Sequence, residues 1–566
     1  MIAPERYQSI GELLRDALVQ WKSETALIEA NRKQESVRYT YLEAKRIGDR
    51  LARRLEDLGV GAGTRVAICM SNQSKWVLSG YAAFFRGAVL VPIDYKLTAK
   101  EQEALLAHCK PHVVITEYPT YREWSGKVAP HVLVSEAPKS ATLPEGVERW
   151  EDTPADRPPP GFVPRKRSDQ ATLVYSSGTG GRPKGCMLSH DNYLEQYRSL
   201  ASVFPLEVGD RYFSILPTNH AIDFMCGFLG PLAGGATVVH QRTLRPEFLV
   251  DSMKRYEITH MAVVPLILET FERRIREVLE EKSELEQAVF DGLRTINSAL
   301  TLKKPLHALS KRLLKPVHDG FGGSLRMLFC GGAFVDPKRA RYFYDLGLPV
   351  VIGYGLTEAG TVLTVNDLKP FRADSVGAPL DGVELELRNV DADSGVGEVW
   401  VRSRTVMMGY LDEPELTSEA LVDGFLRTGD LGWLDASGHL HLVGRSKNMI
   451  VTAGGKNIYP EDVEGAFEGL PVDEYVVFAS NYLFPGGNLL DEELVLVVRG
   501  GHAEEILAEV EAKNHKLVDF KRVKGLLRVG EEFPRTASMK IKRDALAATL
   551  RETLDRSAIE PVGERA

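Results

Sequence analysis

The stretch Tyr175–Gly185 reads YSSGTGGRPKG and has the composition of a loop that binds negative charge. Its glycines leave backbone N–H groups open to a ligand, its hydroxyls are hydrogen-bond donors, and Arg182 and Lys184 add positive charge, so the loop suits phosphate oxygens. It is not a Walker A loop, because Pro183 precedes the lysine and Gly185 stands where a serine or threonine is required. On this stretch alone, phosphate binding and a flexible hydrophilic turn are equally supported.

Further clusters of the same kind follow along the chain. They are Gly331–Ala333 (GGA), Gly353–Glu358 (GYGLTE), Thr428–Asp430 (TGD), Gly444–Arg445 (GR) and Pro534–Arg543 (PRTASMKIKR). In this order and at these separations, the series resembles the adenylate-forming (AMP-binding) superfamily, which includes acyl-CoA synthetases, peptide-synthetase adenylation domains and luciferases. The resemblance covers nearly the whole chain. It is closest to the long-chain fatty acyl-CoA synthetases, because of the insertion from Arg273 to Phe321 and the sequence VTAGGKN at Val451–Asn457.

The resemblance implies a reaction in two steps. A carboxylic acid attacks the α-phosphate of ATP and releases pyrophosphate, and the acyl-AMP then passes its acyl group to the thiol of CoA. A free carboxylate is a poor acyl donor because its charge repels nucleophiles and oxide is a poor leaving group, so dividing the transfer makes each step easier. Phosphate chemistry of this kind requires positioning and charge neutralisation more than covalent help.

The same resemblance assigns residues to ATP and magnesium. The phosphate contacts fall on Ser176, Ser177, Gly178, Thr179, Gly180 and Lys184. Of these, Thr179 and Lys184 are the expected catalytic donors. The residues beside the adenine are Gly332, Ala333, Gly353, Tyr354 and Gly355, with Tyr354 stacked on the base. Thr357 is assigned to the α-phosphate, and Glu358 with Ser176 to Mg²⁺, because a hard cation takes oxygen ligands and bridges phosphates.

Residues near the C-terminus complete the implied ATP site. Asp430 is similar to the carboxylate that accepts both ribose hydroxyls, and Arg445 to the cation beside it. Lys540 matches a mobile catalytic lysine that bridges the substrate carboxylate and the α-phosphate. That lysine must leave before a bulky thiol can enter, which calls for a hinge, and Lys447 stands at the matching hinge position. The turn that the resemblance assigns to CoA contains Gly454, Gly455 and Lys456.

The acyl group is expected near His220, which precedes an apolar, glycine-rich stretch that includes Phe224. The resemblance places His220 at the gate of the acyl site and adds Gly332 and Gly353 to it. An apolar lining with small residues favours a medium- or long-chain fatty acid, because each buried methylene contributes roughly 0.8 kcal/mol.

Two alternatives to an acyl-CoA synthetase remain open. A carrier-protein phosphopantetheine presents the same thiol arm as CoA, so a fatty acyl-AMP ligase that transfers to an acyl carrier protein, or that forms another product from the adenylate, fits the same motifs. A nucleotide-binding protein without turnover is the non-enzymatic alternative. The joint presence of Lys184, Glu358, Asp430 and Lys540 argues against it.

The elements that must hold these motifs alternate between strands and helices. Val66–Met70, a helix from Trp76 to Phe85 and Ala88–Pro92 form a predicted βαβ unit, and Thr40–Glu43 is a capping box at the start of an amphipathic helix. We therefore expect an α/β fold: a large N-terminal adenylation domain, residues 1–446, with mainly parallel sheets flanked by helices, and a small mobile α+β C-terminal domain, residues 447–566. The proline-rich segment Asp152–Asp169 predicts an irregular surface connector and a candidate subdomain boundary.

The bulk composition sets the remaining limits. A chain of 566 residues exceeds one hydrophobic core, and a net charge of -8 spread along it argues against nucleic acid. Five scattered cysteines without a CxxC pair argue against disulfides and zinc and favour the cytoplasm. The apolar run Phe224–Val239 contains Pro231, so we expect core or pocket lining there and no transmembrane segment. Peripheral membrane contact, and either a monomer or a homodimer, are compatible with this composition.

Overall fold

The chain forms two compact units. The computed structural model describes residues 2–153, 157–176, 184–451, 457–485, 493–536 and 540–562. The larger unit comprises Met1–Glu384 and Val401–Leu426, and the smaller one comprises Leu385–Trp400 and Arg427–Ala566. The predicted α/β fold with a smaller α+β C-terminal unit is confirmed. The predicted domains, residues 1–446 and 447–566, are divided at the predicted hinge Lys447, and this functional division stays a prediction.

A nine-stranded sheet, counted over the described residues, organises much of the larger unit. In order across the sheet its strands are Ala378–Pro379, Thr364–Val365, Val350–Tyr354, Met327–Gly331, His260–Val263, Arg211–Ser214, Thr237–Gln241, Thr25–Asn31 and Gln34–Thr40. All neighbours from Val350–Tyr354 to Thr25–Asn31 are parallel, and the outer strands pair antiparallel. Parallel strands need long crossovers, which cover the faces of such a sheet with helices.

An eight-stranded sheet, again counted over the residues that the structure describes, carries the glycine-loop hairpin. Its strands, in order, are Gly409–Tyr410, Lys184–Ser189, Gln170–Ser176, Val89–Pro92, Arg65–Cys69, Val113–Glu117, His131–Ser135 and Val147–Arg149. The predicted βαβ unit is confirmed, because Arg65–Cys69 and Val89–Pro92 pair in parallel and the helix Ser74–Phe85 connects them.

Helices flank both sheets. The longer ones in the larger unit are Ile10–Gln20, Tyr41–Asp57, Ser74–Phe85, Ala99–Cys109, His190–Val203, Pro246–Arg255, Pro265–Glu280, Glu284–Leu300 and Pro337–Asp345. Shorter ones are Tyr118–Glu123, His307–Leu313, Lys315–Gly320 and Pro414–Ala420. The predicted capping box is present: the Thr40 side chain accepts from the Glu43 N–H, and the Glu43 carboxylate accepts from the Thr40 N–H. These two bonds satisfy donors that a helix start leaves open.

The proline-rich connector is irregular as predicted, since residues 157–169 contain no helix or strand. It does not separate subdomains, however. It connects the strand Val147–Arg149 and the short 3-10 turn after it to Gln170–Ser176, and both strands belong to the same sheet. The predicted boundary is therefore wrong, because prolines prevent regular hydrogen bonding without preventing the chain from returning to the sheet it left.

The apolar run Phe224–Val239 is core, as expected. It forms a turn of π-helix at Phe224–Leu229, a short helix at Gly230–Gly234 and part of the strand Thr237–Gln241. Nearly every residue of these elements is buried. Across the described ranges, no helix combines the length and the apolar content needed to span a membrane.

The smaller unit is built on a sheet with four strands among its described residues: Glu474–Ala479, Leu494–Arg499, Val523–Val529 and Glu560–Pro561. Alternate residues of these strands face opposite sides, so two separate apolar cores cover the sheet. Its helices are Pro460–Ala466, Ser480–Leu483, Ala503–Asn514 and Arg543–Thr553.

A separate sheet contains the strands Val383–Arg388, Gly397–Ser403, Leu421–Val422, Phe425–Leu434 and Leu440–Arg445. The short strands Ile450–Val451 and Asn457–Ile458 pair with each other.

Candidate active site

The predicted adenine-side residues lie together at the ends of two neighbouring parallel strands. Gly331 and Gly353 are register partners, so Gly332 and Ala333 follow one strand beside the end of the next. Gly332 has a φ of 85°, which favours glycine, and both it and Ala333 are exposed. In open parallel sheets, ligands bind at the carboxyl ends of strands. The backbone here is accessible to such a ligand.

The turn after Tyr354 requires a glycine. A Cβ at Gly355 would lie 2.0 Å from the Thr361 carbonyl oxygen, so a larger residue would force the backbone apart. This close approach starts the 3-10 turn Thr357–Ala359, which carries the predicted magnesium ligand Glu358. Tyr354 ends the strand Val350–Tyr354, and Thr357 and Glu358 follow it in this turn.

The Glu358 carboxylate is held by two hydroxyl groups. The Ser176 hydroxyl donates to Glu358 Oε1 at 3.0 Å, and the Tyr410 hydroxyl donates to the same oxygen at 3.2 Å. Ser176 ends the strand Gln170–Ser176 and pairs across the hairpin with Lys184. The structure therefore brings Ser176, Lys184 and Glu358 to one place. The other predicted loop residues, Ser177, Gly178, Thr179 and Gly180, lie outside the described residues.

Tyr410 is a site residue that the sequence reasoning missed. It joins Glu358 to Lys184, because the Lys184 ammonium lies over its ring at 5.0 Å from the ring centre. The backbone around it is also tied to both sides of the site: Tyr410 is the register partner of Cys186, and the Met407 N–H donates to the Glu358 carbonyl oxygen. No local pattern marks such a residue, since the contact depends on pairing between distant strands.

Cys186 lies beside this cluster and is buried. Its sulfur is 3.7 Å from the Ser176 hydroxyl oxygen. Burial, and after it the charge of Glu358, raise the pKa of the Cys186 thiol well above its ordinary value. The thiol is therefore neutral at physiological pH and packs as a small apolar group.

His220 and Phe224 have different environments. His220 is half-buried, and its Nε2 lies 3.9 Å from an oxygen of Asp94, a residue just past the strand Val89–Pro92 that the sequence reasoning did not select. Phe224 is buried among aromatic rings, with centroids 4.9 Å from Tyr193 and 6.2 Å from Trp76. Phe224 thus packs in the core of the larger unit, and its predicted role at the acyl group stays a prediction.

Asp223 anchors the turn that presents His220. It is fully buried, and its carboxylate accepts hydrogen bonds of 2.9 Å from the hydroxyls of Tyr212, Ser214 and Thr218. Burial raises the pKa of Asp223 to about 6, although the three hydroxyls oppose the shift. The sequence contains no periodic or motif signal for this group, because its partners come from a strand and a turn that only the fold brings together.

We expect Asp223→Asn to change the pH dependence of stability. The folded pKa of Asp223 lies above the unfolded one, so the unfolded chain ionises first as pH rises, and the wild type loses up to about 3 kcal/mol between about pH 4 and about pH 6. The asparagine variant has no proton to lose. In urea unfolding, the free energy of unfolding of the variant relative to that of the wild type should therefore be higher at neutral pH than at acid pH. An equal difference in the free energy of unfolding at both pH values would contradict the raised pKa of Asp223.

In the smaller unit, the predicted ribose residues are ion-paired. Arg445 Nε lies 2.7 Å from Asp430 Oδ1, and the two residues are register partners in an antiparallel strand pair. Asp430 is buried, and its N–H donates to the Thr428 hydroxyl at 3.0 Å. The strand pair brings the carboxylate and the guanidinium together, as the resemblance implied.

Both predicted C-terminal lysines are exposed. Lys447 lies in the 3-10 turn Ser446–Asn448; partial desolvation of its ammonium lowers its pKa, while Asp544 opposes this. Lys540 is exposed, and its N–H donates to the Thr536 hydroxyl at 3.1 Å. The predicted CoA turn, Gly454, Gly455 and Lys456, lies outside the described residues.

Comparison with known proteins identifies relatives along the whole chain. The model of the AMP-binding enzyme family matches residues 14–411. A long-chain-fatty-acid–CoA ligase of Mycobacterium bovis is 29% identical, over 74% of this chain and 71% of its own. A long-chain-fatty-acid–[acyl-carrier-protein] ligase of Arabidopsis thaliana is 24% identical, over 97% and 86%. The fold is shared with the o-succinylbenzoate coenzyme A synthetase of Bacillus subtilis in complex with ATP and magnesium ion, at a TM-score of 0.72 and 21% identity, covering 94% of this chain and 98% of that one.

The family match covers more than half of the 566 residues and includes the glycine-loop hairpin, the Glu358 turn and Tyr410. By sequence and fold together, this chain belongs to the AMP-binding enzyme family.

Proposed function

We propose that this protein is an acid–thiol ligase that activates a medium- or long-chain fatty acid as acyl-AMP and transfers the acyl group to CoA. The observation that carries the proposal is the Glu358 carboxylate, which two hydroxyls hold beside Lys184 in a member of the AMP-binding enzyme family. A carboxylate and an ammonium at one place suit a metal–polyphosphate complex, because the carboxylate binds the metal cation and the ammonium binds the phosphate oxygens.

The residues fit a magnesium ion. Glu358 and Ser176 offer oxygen atoms 3.0 Å apart, which are the ligand type that a hard cation takes. We assign the ion to these two residues, with the phosphates of ATP completing its coordination. When bound, Mg²⁺ neutralises phosphate charge and orients the leaving group.

The nucleotide roles follow from the same reasoning. Tyr354 is buried, with 7% of its surface exposed, and is proposed to stack on adenine through that exposed part of its ring. The exposed backbone of Gly332 and Ala333 is proposed to border the base. Asp430 is proposed for the ribose hydroxyls, since an ionised carboxylate can accept from both. Arg445, which already orients that carboxylate, adds positive charge for the phosphates.

The proposed chemistry is an in-line displacement followed by acyl transfer. A carboxylate oxygen of the acid forms a bond to the α-phosphorus while the bond from that phosphorus to the bridging oxygen of pyrophosphate breaks. Lys540 is the proposed cation for the charge that develops on the α-phosphate. The CoA thiol then loses its proton to solvent, its sulfur attacks the acyl carbonyl carbon, the tetrahedral intermediate collapses, and AMP leaves with the electron pair of the broken acyl–oxygen bond.

Two measurements test the proposal. Carboxylate-dependent exchange of labelled pyrophosphate into ATP reports adenylation, and mass spectrometry of products from acids of graded chain length, with ATP, Mg²⁺ and CoA, identifies the acid and the thioester. We expect exchange and an acyl-CoA product with medium- or long-chain acids. Release of ADP and phosphate in place of AMP and pyrophosphate would contradict the proposal. The absence of exchange with every acid would also contradict it, and would favour a nucleotide-binding protein without turnover.

Transfer to an acyl carrier protein is the second candidate function. The Arabidopsis relative named for this activity aligns with 97% of the chain, more than the CoA ligase of M. bovis at 74%. Both acceptors present the same phosphopantetheine thiol. The two functions separate when CoA and a phosphopantetheinylated carrier protein are offered in parallel, because formation of acyl-AMP with acyl transfer only to the protein would select the second.

We expect Tyr410→Phe to lower kcat/KM for ATP in the exchange reaction by about tenfold, since a hydrogen bond to a charged group contributes about 1.5 kcal/mol. The ring over Lys184 is retained in this variant and lost in Tyr410→Leu, which should be weaker still. A titration with magnesium is the informative readout. If Tyr410 were only structural, the phenylalanine variant would change the melting temperature and leave the magnesium dependence as in the wild type.

A further inference from the structure

The helix Glu284–Leu300 is anchored to the larger unit along one side only. Phe290 and Leu293 pack against its main apolar core. Asn297 is buried, and its side-chain N–H donates to the Asp345 carbonyl oxygen at 2.9 Å. These contacts fix the rotation of the helix, so the side chains that it presents to water are defined.

A second side of this helix is apolar and exposed. Leu285, Val289, Ile296 and Leu300 are exposed by 75, 53, 50 and 54%. Small residues fill the line between them: Ala288, Gly292 and Ala299. Residues at such spacings share one side of a helix, and the line extends over about 22 Å. We call these seven residues the apolar face. Single exposed apolar side chains are ordinary, but a continuous line of them marks an interaction site.

The large residues of the apolar face are spaced symmetrically. Counting from Leu285, the steps to Val289, Ile296 and Leu300 are 4, 7 and 4 residues, which read the same in both directions. Two copies of the helix that cross antiparallel between Gly292 and Leu293 therefore align Leu285 with Leu300 of the second copy, and Val289 with Ile296 of the second copy. Glycine at the crossing point lets the two backbones approach closely.

The charges that flank the apolar face have the same symmetry. Glu281 lies four residues before Leu285, and Lys304 lies four residues after Leu300. Both are exposed, and neither forms an ion pair with another residue that the structure describes. Glu281 lies in the turn before the helix and Lys304 in the turn after it, so the antiparallel arrangement brings the end that carries Glu281 beside the end that carries Lys304 of the second copy. A parallel arrangement would instead place like charges together, which is unfavourable.

We propose that the apolar face is a self-association surface, through which two copies of this chain pair antiparallel about a two-fold axis between Gly292 and Leu293. A two-fold interface uses the same patch on both copies, so it requires a self-complementary pattern, which this helix has. One helix offers an area at the small end of the range for protein interfaces, so the dimer forms weakly and depends on concentration. The proposal goes beyond the proposed function, and its test has no catalytic step.

Sedimentation equilibrium over a series of protein concentrations tests the proposal. We expect a reversible monomer–dimer equilibrium for the wild type. Ile296→Glu places a carboxylate against Val289 of the second copy twice in each dimer, and should weaken dimerisation by more than about 100-fold. Val19→Glu, at an equally exposed valine of the helix Ile10–Gln20, is the matched control and should dimerise as the wild type does.

Charge exchange tests the antiparallel arrangement. Glu281→Lys and Lys304→Glu each create two like-charge pairs per dimer and should raise the dissociation constant by about fivefold. The double variant exchanges both partners and should restore the wild-type constant. A wild type that stays monomeric at all concentrations, or single variants that dimerise like the wild type, would overturn the proposal. The proposal would also be overturned if the wild-type monomer bound phosphatidylglycerol vesicles and the Ile296→Glu variant did not, because this result would assign the apolar face to a membrane.

Discussion

Substituting alanine for Lys540 is expected to lower the rate of adenylation by about 10²–10³-fold, the usual effect of removing one group that stabilises developing negative charge. Lys540 is exposed, and its backbone N–H and carbonyl are hydrogen-bonded to Thr536, so truncating its side chain should leave the fold intact. Pyrophosphate exchange measures the first half-reaction. Transfer from chemically supplied acyl-AMP to CoA measures the second, and this rate should stay close to that of the wild type.

The contrast between the two half-reactions is what makes the Lys540 variant informative. A lysine needed only for adenylation changes one rate, whereas a lysine that stabilises the smaller unit changes both. Lys524→Ala, at another exposed lysine of the smaller unit, is the matched control and should preserve both rates. Equal loss of both half-reactions in Lys540→Ala would contradict the proposed alternation about Lys447.

The residues that the sequence could identify are those within ordered motifs. Ser176, Lys184 and Glu358 each lie in a short stretch whose glycines and hydroxyls suggest phosphate, and the fold brings these three together. The motif order carried the information, because each stretch on its own is an ordinary turn. The capping box at Thr40 and the βαβ unit were predictable for a related reason: local hydrogen bonding and periodicity determine them.

Tyr410 and Asp94 illustrate what local pattern cannot supply. Tyr410 reaches Glu358 because a two-residue strand pairs with the return strand of the glycine-loop hairpin, and Asp94 meets His220 because a parallel strand ends beside its turn. Both contacts depend on sheet order, which periodicity does not determine. Asp223 is similar, since its three hydroxyl partners become neighbours only in the folded core.

Glu358→Gln is expected to lower the rate of pyrophosphate exchange by about 100-fold, because it removes the negative charge that binds the metal while keeping nearly the same shape. The amide oxygen of glutamine can still accept from Ser176 and Tyr410, so the turn Thr357–Ala359 should keep its conformation. The loss should be larger at low magnesium concentration and partly recovered at high concentration. That dependence distinguishes a metal ligand from a residue that only supports the turn.

Two comparisons make the Glu358 result decisive. Glu415→Gln removes an exposed carboxylate from the nearby helix Pro414–Ala420 and should leave both the rate and the magnesium dependence unchanged. Ser176→Ala keeps the carboxylate but removes the second oxygen proposed for the ion, so it should shift the magnesium dependence in the same direction with a smaller loss of rate. If Glu358→Gln retained the wild-type magnesium dependence at a reduced rate, the carboxylate would not be a metal ligand, and Mg²⁺ would have to be bound by the phosphates and other residues.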